Sequence, residues 1–265
     1  EALREYAASG DATHLKFCRT HVHQVHGALA MVGLDGVTQV TESVEALLEG
    51  AEEGRLHAGA PTQAAIGAAT AAIRQYLDDL VAGEPNQPLR LLPIYQSLAK
   101  ARGVDKVRAT DLFFPDLSQR PPRRAAAGVP RSAAEVDALI KAERARFQRG
   151  LLAWLKKPDL AEQGLEDMRT ALRTIEASQD SPATRAFWWV SLGFLESLAD
   201  RGIAAEFEAR QLCARIDLQI RRVCEGSAKV ADRLRREVLY FVAICAPVGP
   251  QVQAVQRAFR LSGLI

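Results

Sequence analysis

The stretch Asp11–Leu34, DATHLKFCRTHVHQVHGALAMVGL, decides how the first part of the chain folds. Its apolar residues recur at steps of three and four, which is the spacing of one face of an α-helix. The members of this stripe are Leu15, Cys18, Val22, Val25, Leu29 and Val32. At about 100° per residue, His23 points away from the stripe and Gly27 lies one turn further along the same outward side. The stretch therefore predicts an amphipathic helix that presents a histidine to solvent.

Composition limits the function classes that are open to this chain. A hydrophobic content of 48% and a charged content of 25% are typical of a soluble globular protein. The net charge of +2 gives no strong field, so we expect neither nucleic-acid binding nor binding to an anionic membrane. No stretch approaches the roughly 18 consecutive apolar residues of a membrane span, so we expect no membrane insertion. The four cysteines form no CxxC pair and indicate reduced thiols in a cytoplasmic protein.

Helical periodicity continues along the whole chain, and no strand pattern is present. In the first part we predict helices over 35–54, 61–82 and 89–102. After a capping box of Ser132 with Glu135, we predict helices over 132–157, 160–178, 183–201, 204–225 and 228–246, and a short one after Pro250. The fold class is all-α, with two consecutive antiparallel helical bundles.

The segment between the bundles is rich in proline. Pro115, Pro121, Pro122 and Pro130 mark a linker. Its stretch TDLFFPDLSQ is too apolar to stay in solvent, so we expect Leu112, Phe113 and Phe114 to dock against a bundle. The predicted domains are a first bundle at 1–102, a partly docked linker at 103–131 and a second bundle at 132–265.

The outward histidine stands in a recognisable motif. The run His23-Gln24-Val25-His26-Gly27-Ala28, followed by Gly33, resembles the histidine phosphotransfer (HPt) motif HxxKG[SA] with a second glycine after it. The resemblance implies that His23 accepts a phosphoryl group and that Gly27 leaves room for a receiver domain to dock. The next helix resembles that of the phosphotransfer domain of CheA-type kinases, which implies that Glu45 orients the imidazole. The chain departs from the motif at one position, because His26 stands where the family has lysine.

Longer runs extend the resemblance over nearly the whole chain. They are FCRTHVHQVHGALAMVGL, SLAKARG, TDLFFPDLSQR, FQRGLLAWL and LRREVLYFVA. They resemble the N-terminal HPt-like region of the twitching-motility (type IV pilus) chemosensory histidine kinase of the PilL/ChpA type, and a related region of the pilus scaffold protein FimL. The chain itself contains no glycine-rich ATP lid, Walker motif or receiver-type acidic cluster, so we expect the kinase activity to reside in a longer parent protein.

Two functions follow as hypotheses. In the first, the chain is a phosphotransfer signalling module whose partners are a kinase catalytic domain and receiver domains of response regulators. In the second, it is an HPt-like scaffold that is not phosphorylated and that binds polar or pilus proteins at the cell pole. All five histidines precede residue 58, so the second bundle cannot carry phosphohistidine and must pack, dimerise or bind. No cofactor is expected in either case.

Several of these residues also have a simpler, structural interpretation. Spacing would allow His14, Cys18 and His21 to bind zinc, but such a set is more often part of a core, so we predict no metal. Glu45 could equally be a surface charge. Trp188 and Trp189 fit a core and its flank better than a ligand cage.

Overall fold

The computed structural model of the chain describes residues 2–104, 106–123, 131–227 and 229–265. Within those residues there are eleven α-helices and no strand, so the all-α prediction is confirmed. The chain divides into two compact units, one running up to Phe114 and the other starting at Pro115. Residues 105 and 124–130 of the predicted linker lie outside the described residues. The division into domains at 1–102, 103–131 and 132–265 stays a prediction.

The first unit is a bundle arranged around its third helix. Its helices are α1 (Ala2–Ser9), α2 (Ala12–Met31), α3 (Asp35–Glu52), α4 (Ala60–Val81) and α5 (Leu92–Ala101), with 3₁₀ turns at Pro88–Leu91 and Ala109–Leu112. α3 contacts α2, α4, α5 and both 3₁₀ turns. Its apolar side chains Val37, Val40, Leu47 and Leu48 are fully buried. Leu112 joins this core, which is consistent with docking of the TDLFFP stretch.

Local capping fixes both ends of α2. The Asp11 carboxylate accepts a hydrogen bond from the Thr13 backbone N–H at 2.9 Å, so an aspartate caps the N-terminus of the helix. At the C-terminus, Gly33 adopts a left-handed φ of +75°. Its N–H donates to Ala30 O, and the Leu34 N–H donates to Leu29 O. These two bonds form a Schellman motif, which ends the helix and turns the chain directly into α3.

The buried stripe of α2 differs from the predicted one at one edge. Leu15 and Leu29 are buried, whereas Val25 and Val32 are 44% and 72% exposed. Val32 lies beyond the last helical residue, and Val25 lies at the margin of the stripe that faces away from α3. His26, at the opposite margin, is partly buried instead.

The second unit is built around one helix that is buried along most of its length. Its helices are α6 (Ala133–Lys156), α7 (Ala161–Ala177), α8 (Pro182–Ala199), α9 (Phe207–Cys224), α10 (Asp232–Ile244) and α11 (Pro250–Ala258). Every residue of α8 from Arg185 to Leu198 is buried, because α7, α10 and α11 cover it on different sides. Trp188 and Trp189 are 2% and 8% exposed, so both belong to the core as expected.

The capping box predicted for the first helix of the second unit is confirmed. Ser132 and Glu135 form the predicted reciprocal capping box at the start of α6. Phe147 of α6 is fully buried, whereas Leu155, in the last turn of the same helix, is 41% exposed.

In the described part of the chain, no helix has both the length and the apolar character needed to span a bilayer.

Candidate functional site

The candidate site is a histidine–carboxylate pair on the surface of the first unit. His23 Nδ1 lies 2.8 Å from Glu45 Oε1, and the His23 side chain is 72% exposed while that of Glu45 is 24% exposed. An ionised carboxylate only accepts hydrogen bonds, so Nδ1 carries the proton and donates it to Glu45. The lone pair of the imidazole is then on Nε2, which has no hydrogen-bond partner among the described residues. The ring therefore presents a fixed tautomer with its nucleophilic nitrogen toward solvent.

The antiparallel register of α2 and α3 brings the two side chains together. Arg19 lies one turn before His23 on α2, and Glu49 lies one turn after Glu45 on α3. The guanidinium of Arg19 comes within 4.0 Å of the Glu49 carboxylate, so this second cross-helix pair has the same register as the first. The Schellman turn at Gly33 joins the two helices through a short connection between Met31 and Asp35, which limits the registers open to them.

Gly27 leaves open space beside the histidine. A Cβ atom built on Gly27 would meet no atom within 4 Å. Gly27 lies one turn after His23, so a larger side chain there would stand in front of the imidazole without disturbing the interior of the bundle. The structure thus leaves an approach path over this turn.

His26 lies against His23 and differs in its environment. The two rings are parallel within 3°, with their centroids 6.4 Å apart. His26 Nδ1 is buried and has no hydrogen-bond partner in the described part of the chain. A proton on that nitrogen would be buried without an acceptor, which costs free energy, so a neutral His26 carries its proton on Nε2. In that tautomer, His26 offers one N–H donor where the motif has the permanent cation of a lysine.

A row of charges continues the site toward the start of α2, and the sequence analysis did not identify it. Arg19 Nε lies 2.8 Å from Glu52 Oε2. Arg55, just after α3, pairs with Glu53 and comes within 3.8 Å of Glu49. In the sequence, Arg19 lies four residues before His23 and Glu49 lies four residues after Glu45. These spacings predict the Arg19–Glu49 pair only once the register of the two helices is known.

The residues considered for zinc binding have other roles. His14 Nδ1 lies 3.1 Å from Glu5 Oε2, which joins α1 to α2. Burial raises the pKa of the Cys18 thiol, which disfavours the thiolate that a metal needs. Among the described residues, no group of three or more His, Cys, Asp or Glu side chains could hold a metal ion.

Each unit matches a known protein family. Residues 1–83 match the family described as the Hpt domain. Residues 132–265 match the family described as the FimL scaffold protein second domain, which covers half of the chain. The chain belongs to the FimL scaffold protein family. This agrees with the resemblance noted from the sequence.

A curated relative supports the assignment. The scaffold protein FimL of Pseudomonas aeruginosa is 27% identical over 245 residues, which is 92% of this chain. The match covers 43% of that protein, so the chain spans less than half of the length of this FimL relative. No solved structure matches the chain.

Proposed function

We propose that the first unit of this FimL-family chain is a histidine phosphotransfer module and that His23 is its phosphoacceptor. The observation that carries the proposal is the exposed imidazole whose Nδ1 is held by a carboxylate at 2.8 Å. The match of residues 1–83 to the Hpt domain supports the same reaction class. The open space at Gly27 would let a kinase or receiver domain reach the ring.

The chemistry follows from the tautomer. The Nε2 lone pair of His23 attacks the phosphorus of a phosphodonor, such as ATP held by a kinase domain. An N–P bond forms while the bond to the leaving oxygen breaks, and its electron pair leaves with ADP. The ring keeps its Nδ1 proton and becomes positively charged, and the Glu45 carboxylate offsets that charge. A receiver aspartate then attacks the phosphorus, and the neutral imidazole leaves.

The role of Glu45 can be measured with phosphoramidate, a small-molecule phosphodonor that phosphorylates histidine without a kinase. Removing the acceptor of Nδ1 by Glu45→Ala should slow phosphorylation of His23 by roughly tenfold or more, because the ring loses its fixed tautomer and its charge partner. Glu45→Gln keeps an oxygen acceptor without the charge and should fall between. Mass spectrometry of the acid-labile phosphohistidine, resolved by position, measures the rate.

Two comparisons make the result specific. Glu42→Ala removes an exposed carboxylate one turn earlier on α3, which the Gln39 side chain hydrogen-bonds, and should change the rate by less than about twofold. His21 is exposed on the same helix without a carboxylate partner in the described structure, so it serves as an internal reference. Equal phosphorylation of His21 and His23 would contradict the proposal, and so would phosphorylation that persists in full after His23→Gln.

A second candidate function rests on the FimL match. The second unit has no histidine, and its family is described by the word scaffold, so this unit would bind proteins rather than carry phosphoryl groups. In this version the chain holds the chemosensory kinase of the pilus system at the cell pole in the cytoplasm, and His23 is not required.

Co-isolation of that kinase with the tagged full chain separates the two candidates. The scaffold function predicts that wild type and His23→Gln recover the same amount of kinase, because binding does not depend on the imidazole. Kinase recovery that drops with His23→Gln, or that does not exceed the recovery with an untagged control, counts against a scaffold role that is independent of phosphotransfer.

A further inference from the structure

The α2–α3 pair contains few permanent cations for a site that would hold a phosphoryl group. α3 has no lysine or arginine, and α2 has only Lys16 and Arg19. Glu45 and Glu49 add negative charge close to His23, and His26 is neutral when it carries a single proton. A phosphoryl group on His23 therefore needs a countercharge that the motif position itself does not provide.

Arg19 is placed to supply this charge. It lies four residues before His23, which puts the two Cβ atoms about 5–6 Å apart on one face of the helix. Helical side chains lean toward the N-terminus, so the His23 ring extends over the turn that carries Arg19. Lys16 is a full turn further away, about 10 Å along the axis from His23.

The present partners of Arg19 hold it loosely. Its Nε is 2.8 Å from Glu52 Oε2, yet that oxygen accepts no hydrogen bond in the described structure, so the N–H group is not directed at it. Its contact with Glu49 is longer, at 4.0 Å. The side chain is 35% exposed. Turning the guanidinium away from α3 would break an ion pair but no well-aligned hydrogen bond.

We propose that Arg19 contacts the phosphoryl group on His23, in place of the lysine that this chain lacks. The inference rests on the proposed phosphotransfer function. On phosphorylation, the guanidinium turns from Glu52 to the phosphoryl oxygens on Nε2, whose spacing suits its planar pair of N–H groups. Arg19 also stabilises the negative charge that spreads over these oxygens in the transition state.

The experiment measures phosphorylation of His23 by phosphoramidate in the full chain. Arg19→Gln should lower the rate constant by roughly five- to tenfold, because one charge-assisted contact is lost. Arg19→Lys keeps the charge without the planar fork and should recover part of the rate. Arg55→Gln is the matched control: it removes the other arginine that faces Glu49 and should leave the rate within about twofold.

Glu52→Gln separates a phosphoryl contact from a structural ion pair. If Arg19 must leave Glu52, removing the carboxylate frees it, and the rate should rise by about two- to threefold. In the Arg19→Gln background, the same change should have no effect, because the coupling passes through Arg19. A structural ion pair would instead make both single variants slow the reaction.

The outcomes distinguish this inference from the function on which it rests. His23-specific labelling that is equal in wild type, Arg19→Gln and Arg55→Gln overturns the role of Arg19 and leaves the phosphotransfer function intact. A rate that falls with Glu52→Gln also overturns it. Wild-type labelling of His23 no faster than that of His21 overturns both. Circular dichroism of each variant checks that the helices are retained.

Discussion

Gly164→Ala is expected to lower the free energy of unfolding of the second unit by about 2–4 kcal/mol, because α6 and α7 touch backbone to backbone at this point. An added Cβ at Gly164 would lie 2.5 Å from Gly150 O and 2.8 Å from Trp154 N. Both are main-chain atoms of a helix, so neither can move aside as a flexible side chain would. The helices would have to separate along a contact that includes Met168, which is fully buried and whose Cγ would lie 3.1 Å from a Cβ added at Gly150.

Tryptophan fluorescence during urea unfolding measures this effect selectively. The three tryptophans, Trp154, Trp188 and Trp189, are all in the second unit. Gly67→Ala on α4 is the matched control, since its new Cβ would meet nothing within 4 Å. Its better helix propensity should stabilise the first unit by about 0.5–1 kcal/mol, which circular dichroism can follow. A neutral or stabilising Gly164→Ala would mean that the two helices can shift apart at little cost.

Arg185→Met is expected to destabilise the second unit by about 3–5 kcal/mol, because it removes the cation of a buried ion pair with Glu176. Arg185 Nε lies 2.6 Å from Glu176 Oε1, and the two side chains are 9% and 11% exposed. This pair joins the end of α7 to the start of α8. Arg185 also donates a hydrogen bond to Pro122 O at 3.3 Å, which the methionine cannot replace.

Urea unfolding of Arg185→Met is best compared with that of Arg221→Met. Arg221 pairs with Glu225 at 2.8 Å, but both side chains are 55% exposed, so its loss should cost less than about 0.5 kcal/mol. If both variants lost similar amounts of unfolding free energy, burial of the Arg185–Glu176 pair would add nothing to its contribution to stability.

Local signals made most of the helices predictable. The cap at Asp11, the capping box at Ser132 and the glycine after α2 act within a few residues, so a single sequence contains them in full. Contacts between helices depend on register and distance, which no local signal encodes. The close approach at Gly150 and Gly164 was missed for this reason.

The candidate site shows the same limit. Helical periodicity alone placed His23 on the outward face of α2. The partnership with Glu45 came from the resemblance to a known motif, because nothing local links residues on two different helices. Arg19 has no place in that motif. Its spacing puts it one turn from His23 on the same helix, but only the register of α2 and α3 reveals its carboxylate partners. Burial of His26 Nδ1 likewise depends on how far α2 tilts into the bundle.

Two main-chain oxygens upstream of α6 accept hydrogen bonds from arginines of the second unit. Arg235 donates to Leu117 O at 2.7 Å, and Arg185 donates to Pro122 O. The family match starts only at residue 132. A recombinant fragment cut at that boundary would leave both guanidinium groups without these acceptors. Leu117 and Pro122 therefore supply main-chain acceptors to the second unit, and we expect a fragment that begins at Leu117 to be more stable than one that begins at residue 132.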